Sequence, residues 1–226
     1  MIFQIKEEFI SSLFRRFIRC QMDFWFLICL IGINAAVPVH FLSIQHLKLQ
    51  GKYGKKKGIK IGEILGLFSG WCFFLFWIGV WISPQPRFSL LTFLNFTTLI
   101  TFFGFSISLP NLILSIPFIA LGAWFGIRGV KQTSLKVAET HRTEIIITSG
   151  VYSIVRHPQY IGGLLSHAGV SFLLSAVYSL LVTPLMVFLV YLLSKKEEDE
   201  LIREFGKEYQ SYKKKVPMFI PKIFHK

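Results

Sequence analysis

Charge is what this 226-residue chain has least of. Asp, Glu, Lys and Arg make up 16% of it, against about 25% in an ordinary soluble domain. Hydrophobic residues reach 53%, and Phe alone fills 24 positions. Little charge with many apolar side chains excludes intrinsic disorder, and no stretch is rich enough in Gly, Pro or Ser to be low complexity. Cysteine is scarce as well. Cys20, Cys29 and Cys72 have no CxxC spacing, so neither a disulfide framework nor a thiolate metal site is expected. No two of the six His stand four residues apart, which removes a helical zinc motif, and no GxGxxG marks a dinucleotide fold. The first 20 residues hold Lys6, Glu7, Glu8, Arg15, Arg16 and Arg19, which a secretory signal core would not tolerate.

What the chain has instead is a series of long apolar runs with basic residues between them. Phe24 to Ile44, Ile61 to Ile82, Phe88 to Leu109 and Asn111 to Val130 each reach the roughly 20 residues that a bilayer span needs. After a polar stretch comes a second apolar region, Tyr160 to Leu193. Pro158 favours the first turn of a helix, so one helix is expected from there to about Ser175 and a second from about Ser179, running on into the charged sequence after Ser194. The fold class expected is an all-α integral membrane protein. It has about five to six transmembrane helices and a C-terminal helical hairpin that extends into a cytosolic helix. Residues 1–130 form an N-terminal amphipathic helix and transmembrane helices, and residues 131–226 form a separate region with the hairpin and a cytosolic tail. Gly62, Gly66, Gly70, Gly122 and Gly126 recur every four residues within spans, the spacing that lets helix backbones approach.

The net charge of +13 is loop charge at an anionic membrane surface rather than a nucleic-acid stripe. Lys and Arg number four in residues 1–23, six in 45–60, one in 83–88, five in 128–160 and nine in 194–226. With six spans and a cytosolic N-terminus, the six of 45–60 fall on the outer side, against the usual bias of basic loops to the cytosol. Failure of one early apolar run to cross would remove the conflict.

Two polar segments carry the chemistry. In the first, Thr148 to Gly162, Pro158 opens a helix whose first N–H groups lack intrahelical partners and can donate to an anion. Arg156 and His157 stand beside that end, and a spacing of three puts His157 and Tyr160 on one face. This is either a site for a small anionic or zwitterionic group or an interfacial anchor. In the second, Lys195 to Pro217, four consecutive acids continue an apolar helix. They form either a solvated face or, at Glu197, a carboxylate wall opposite His157. Glu197 and Glu198 differ by about 100° around the helix, so Glu197 is expected in the cleft and Glu198 away from it.

TSGVY, then RHPQYIG, an apolar hairpin, EEDEL and FGKEYQSYKKKVP together resemble the isoprenylcysteine carboxyl methyltransferase family of membrane methyltransferases. The resemblance covers about Ser134 to Pro221. It implies an S-adenosylmethionine pocket at Glu144, Ile145, Ile146, Ile147, Tyr152, His157, Pro158, Gln159, Tyr160 and Glu197, without a metal. It also implies a lipid-linked or prenylated acceptor and a multi-pass membrane location, with the site facing the cytosol. The acceptor is expected to be the carboxylate of a prenylated cysteine. Such a group is already ionised at neutral pH, so no catalytic base is assigned. Phospholipid amines and small thiols are the alternative acceptors, and a non-enzymatic membrane protein is a more distant one. The family usually carries an Arg four residues before the first Glu of EExxL, where this chain has Leu193. Arg156 and Lys196 are the candidates for that substrate-binding role.

Overall fold

The computed structural model describes residues 24–88, 99–102, 105–134 and 145–222. The amphipathic helix expected before residue 23 lies outside them. Among the described residues, four helices are long and apolar enough to cross a membrane: α1 (Phe24–Ile44), α3 (Lys55–Ile82), α4 (Leu109–Thr133) and α6 (Val177–Phe205). Between α1 and α3 lies the short α2 (His46–Tyr53). A 16-residue α5 (Pro158–Leu173) turns back into α6, and α7 (Lys207–Lys215) follows. The protein is an all-α integral membrane protein, with one two-stranded hairpin among the described residues.

That hairpin stands where a third span was expected. Of the run Phe88 to Leu109, residues 89–98 lie outside the described part, while Leu99–Phe102 (β1) and Phe105–Ser108 (β2) pair antiparallel with Leu99 opposite Ser108. The run therefore does not form one crossing helix. Its composition hid a period of two: in β2, Phe105 and Ile107 alternate with Ser106 and Ser108, a strand pattern. Ser108 ends the strand and caps α4, its Oγ accepting from the Asn111 N–H at 3.4 Å, with Pro110 in the first turn where its missing donor costs nothing.

Phe26, Ile33 and Val37 of α1 pack with Trp77 and Val80 of α3 and Met186, Leu189 and Leu193 of α6. Large apolar side chains such as Ile31, Phe68 and Leu181 point outward, the arrangement that suits a lipid surround. Several polar groups inside are paired. His167 of α5 accepts from the indole N–H of Trp77 at 2.8 Å and of Trp81 at 3.0 Å on Nδ1. Two donors on one nitrogen leave the proton on Nε2, which faces the Ser179 carbonyl at 3.1 Å.

α4 and α5 approach backbone to backbone. A Cβ at Gly162 would lie 2.6 Å from the Gly126 nitrogen and 2.7 Å from the Gly122 carbonyl oxygen, and neither atom can swing away. Gly126 itself has open space in front of its own Cα, as does Gly70, so the four-residue glycine pattern marks packing at some of its positions only. Gly162→Ala should lower the melting temperature in detergent by an amount equivalent to about 1–3 kcal/mol, with Gly126→Ala nearly neutral. Equal effects at both positions would mean that the helices do not meet here.

The chain's path decides which ends share a side. The Ser83–Phe88 segment meets the α5–α6 turn through Phe88 N to Ser175 O at 3.1 Å and Arg87 Nη1 to Leu174 O at 2.7 Å, and Asn111 at the start of α4 donates to Ser175 Oγ at 2.6 Å. The opposite end gathers the end of α1, α2, the start of α3, the end of α4, the start of α5 and the polar extension of α6. The lysine-rich stretch 45–60 therefore shares its side with the C-terminal tail, and the conflict over its charge disappears because the third apolar run supplies no single crossing helix.

Candidate functional site

At that second end, residues from five parts of the chain line a cleft of about 900 Å³, some of it open to solvent. Gly150 starts the local architecture. Its φ of +56° belongs to the left-handed region, natural for glycine, and a Cβ there would collide with the Gln132 side chain. The turn Gly150–Ser153 is thereby seated on the end of α4, where the Val151 N–H donates to Gln132 Oε1 at 3.1 Å. Tyr152 is held by Gln159, whose Nε2 donates to the Tyr152 hydroxyl at 3.1 Å and to Thr133 Oγ1 at 3.0 Å. Burial, assisted by nearby Glu197, pushes the Tyr152 hydroxyl up to about 12. It stays protonated at neutral pH and acts as a hydrogen-bonding wall rather than a base.

His157 lies between two carboxylates. Its Nδ1 is 3.6 Å from Glu197 Oε2 and its Nε2 is 3.2 Å from Glu198 Oε1. Its ring stacks on Tyr160 with centroids 5.7 Å apart, and the Tyr160 hydroxyl donates to Glu197 Oε1. Glu197, facing the cleft, thus has both flanking groups supplied by the start of α5.

Of the residues singled out from the sequence, Ile145, Ile146, Ile147, Tyr152, His157, Pro158, Gln159, Tyr160 and Glu197 all line this cleft. Glu144 lies outside the described residues. Arg156 also lines the cleft, but its guanidinium is engaged elsewhere: Nε donates to Glu198 Oε1 at 2.7 Å, and Nη1 donates to the Lys213 carbonyl at 3.0 Å and to the Val216 carbonyl. Lys196 is not among the lining residues. Leu193, where a substrate-binding Arg was looked for, is 4% exposed in the apolar core.

Glu198, expected to point away from the cleft, does not line it; its part in holding the tail is what sequence reasoning did not supply. Glu198 is fully buried and takes Arg156, His157 and, through Oε2, Lys213 Nζ at 2.8 Å. This cluster explains why RHP and KKKVP occur together. Arg156 and His157 also donate their backbone N–H groups to the Pro217 and Met218 carbonyls at 2.9 and 3.3 Å, so the tail is strapped to the start of α5. A signal existed in the sequence: Met186, Val190, Ser194 and Glu198 continue one four-residue stripe, and all four are buried. Ile44 and His46 were also missed. They line the cleft from the N-terminal part of the chain, where no motif draws attention to them.

Residues 110–208 match the model of the phospholipid methyltransferase family. Among curated proteins, the chain is 32% identical over 98 residues to protein-S-isoprenylcysteine O-methyltransferase of Schizosaccharomyces pombe, covering 42% of this chain and 41% of that protein. It is 37% identical over 87 residues to the same-named protein of Mus musculus, or 38% and 31% of the two chains. It is 36% identical over 74 residues to methanethiol S-methyltransferase 2 of Bradyrhizobium diazoefficiens, 33% of this chain and 28% of the other. The matched part thus spans well under half the length of these relatives. No solved structure matches significantly. Residues 110–208 are thus similar to the phospholipid methyltransferase family, and these curated relatives are by name methyltransferases of isoprenylcysteine and of methanethiol.

Proposed function

We propose that the protein is an integral membrane methyltransferase that takes a methyl group from S-adenosylmethionine and passes it to a lipid-linked acceptor, with the C-terminal carboxylate of a prenylated cysteine as the leading candidate. The observation that supports this most is that residues from three separate segments, 145–147, 152–160 and 197, line one cleft in a chain related to methyltransferases. The donor set fits S-adenosylmethionine. Glu197 would accept from its ammonium or ribose hydroxyls. The positive end of α5 beside His157 suits its carboxylate, and the rings of Tyr152 and Tyr160 offer faces to a cation.

S-adenosylmethionine supplies an electrophilic methyl group when bound. The protein's contribution is to orient and desolvate. An ionised carboxylate needs alignment and exclusion of water rather than a base. Ile145, Ile146 and Ile147 give that end of the cleft an apolar edge through which a lipid-bearing acceptor can approach.

A second reading has its own support. Leu193 is apolar and buried, and Arg156 is engaged by Glu198, so among the described residues the cleft has no guanidinium reserved for a carboxylate. A thiol or amine acceptor needs none. Such an acceptor must lose a proton, and His157, held between Glu197 and Glu198, is the cleft group suited to accept it.

The cleft is proposed to face the cytosol, because the described residues toward its end include six Lys and Arg in 45–60, three in 128–160 and eight in 194–222, while 83–88, at the other end, holds one, the usual inward bias. One experiment addresses acceptor and side together: labelled methyl transfer in sealed vesicles of both orientations, offered prenylcysteine, phosphatidylethanolamine and methanethiol. Methylation of prenylcysteine only when the cytosolic face meets the impermeant donor is the expected result. No transfer to any acceptor from either side would defeat the methyltransferase reading.

A further inference from the structure

The hairpin of α2 and the start of α3 presents a surface that methyl transfer does not use. From Gln45 to Gly62 there is no acidic residue, and Lys48, Lys52, Lys55, Lys56, Lys57 and Lys60 are all exposed. Apolar side chains lie among these cations: Leu47 and Tyr53 are 43% and 44% exposed, and Lys52 Nζ sits 5.2 Å from the Tyr53 ring centroid. The hairpin joins the ends of two membrane-crossing helices, so it stands at the plane where headgroups lie. Dense lysine at a membrane surface, flanked by side chains able to dip into the acyl boundary, matches anionic phospholipid rather than a soluble anion.

The other face of the same eight-residue helix belongs to the cleft. His46, 4% exposed, lines the cleft next to Ile44, and the Leu47 N–H donates to Glu200 Oε1 on α6 at 3.2 Å. Gly62 leaves room for this seating, since a Cβ there would lie 3.3 Å from His46 Nδ1. One short element therefore carries a cationic surface outside and a cavity wall inside. Six lysines with no acidic residue among them repel one another, and anionic headgroups relieve that repulsion while the hairpin stays folded against the membrane.

We propose that the α2–α3 hairpin binds anionic lipid headgroups of the surrounding bilayer, and that this occupancy holds His46 and Leu47 against α6 and tightens donor binding in the cleft. The second half rests on the methyltransferase reading. The test uses the full chain in nanodiscs of phosphatidylcholine alone or mixed with phosphatidylglycerol, with two readouts: lipid retained on the protein in native mass spectrometry, and affinity for S-adenosylmethionine by titration. Wild type should retain phosphatidylglycerol preferentially. It should also bind the donor at least about fivefold tighter in the anionic bilayer, the lower end of common couplings between two sites. Combined Lys52→Gln, Lys55→Gln, Lys56→Gln and Lys57→Gln, none of which lines the cleft, should abolish both preferences while leaving donor affinity in phosphatidylcholine unchanged. Soluble glycerol phosphate should reproduce neither effect; if it did, the site would be an anion site and not a lipid site. Equal retention of both lipids by wild type overturns the proposal, and preferential retention without a change in donor affinity overturns the coupling. Absence of donor binding in every bilayer strikes the methyltransferase reading instead, and lipid retention then still decides the headgroup site.

Discussion

Glu198→Ala should cost about 3–5 kcal/mol of stability, the cost of leaving a buried charge without its partner. The carboxylate is fully buried, and it faces Arg156, whose side chain is 7% exposed. Removing it strands that guanidinium and releases the Lys213 and His157 contacts together. Arg156→Ala should be comparably damaging, because the same guanidinium also ties down the Lys213 and Val216 carbonyls. Lys213→Ala should cost under about 1 kcal/mol, since its side chain is 39% exposed and water screens such pairs. Replacing Arg156 and Glu198 together by Leu should recover part of either single loss. Thermal unfolding in detergent measures the series, and proteolysis at Lys213–Lys215 reports release of the tail strap. If Glu198→Ala is no worse than Lys213→Ala, the cluster does not hold the tail.

Glu197→Gln should behave in the opposite way, with folding intact and donor binding lost. The amide keeps an oxygen to accept from the Tyr160 hydroxyl, and Glu197 borders the cleft rather than the core, so the melting temperature should hardly move. What disappears is the negative charge offered to the donor. A charge-assisted hydrogen bond of this kind contributes about 1.5–3 kcal/mol, so calorimetric titration with S-adenosylmethionine should show affinity weakened by about ten- to a hundredfold. Wild-type affinity in the variant would move the ammonium to Glu200 or Glu204, the other carboxylates that line the cleft among the described residues. Together the two substitutions separate adjacent carboxylates: Glu198 would hold the site together, and Glu197, on the proposed function, would address the ligand.

The membrane class of the protein was legible in its composition, because spans of about 20 apolar residues have few other uses. The start of α5 at Pro158 was legible for a similarly local reason: proline's fixed φ and missing donor suit a first helical turn. Nine of the ten residues put forward for the donor meet at one cleft, since short motifs at a helix start and on the helix that packs beside it are brought together by the intervening hairpin. Glu197 and Glu198 show where local reasoning stops. Helical spacing states that they point about 100° apart, but not that a buried Arg156 waits on one side and a cleft on the other.

Composition also hid the period of two in residues 105–108 behind the apolar length of the whole run, so a strand pair was read as part of a span. The same missing span misplaced the lysine-rich hairpin, because a chain's sidedness follows from the number of crossings and not from any one segment. What the sequence alone determined was what each segment can do: cross a bilayer, open a helix, or present a carboxylate. Which segments meet was decided by the tertiary structure alone. The backbone contact of α4 with α5, the Arg156–Glu198 strap and the seat of α2 on Glu200 are long-range contacts, and each depends on partners far away in the chain that no local pattern encodes.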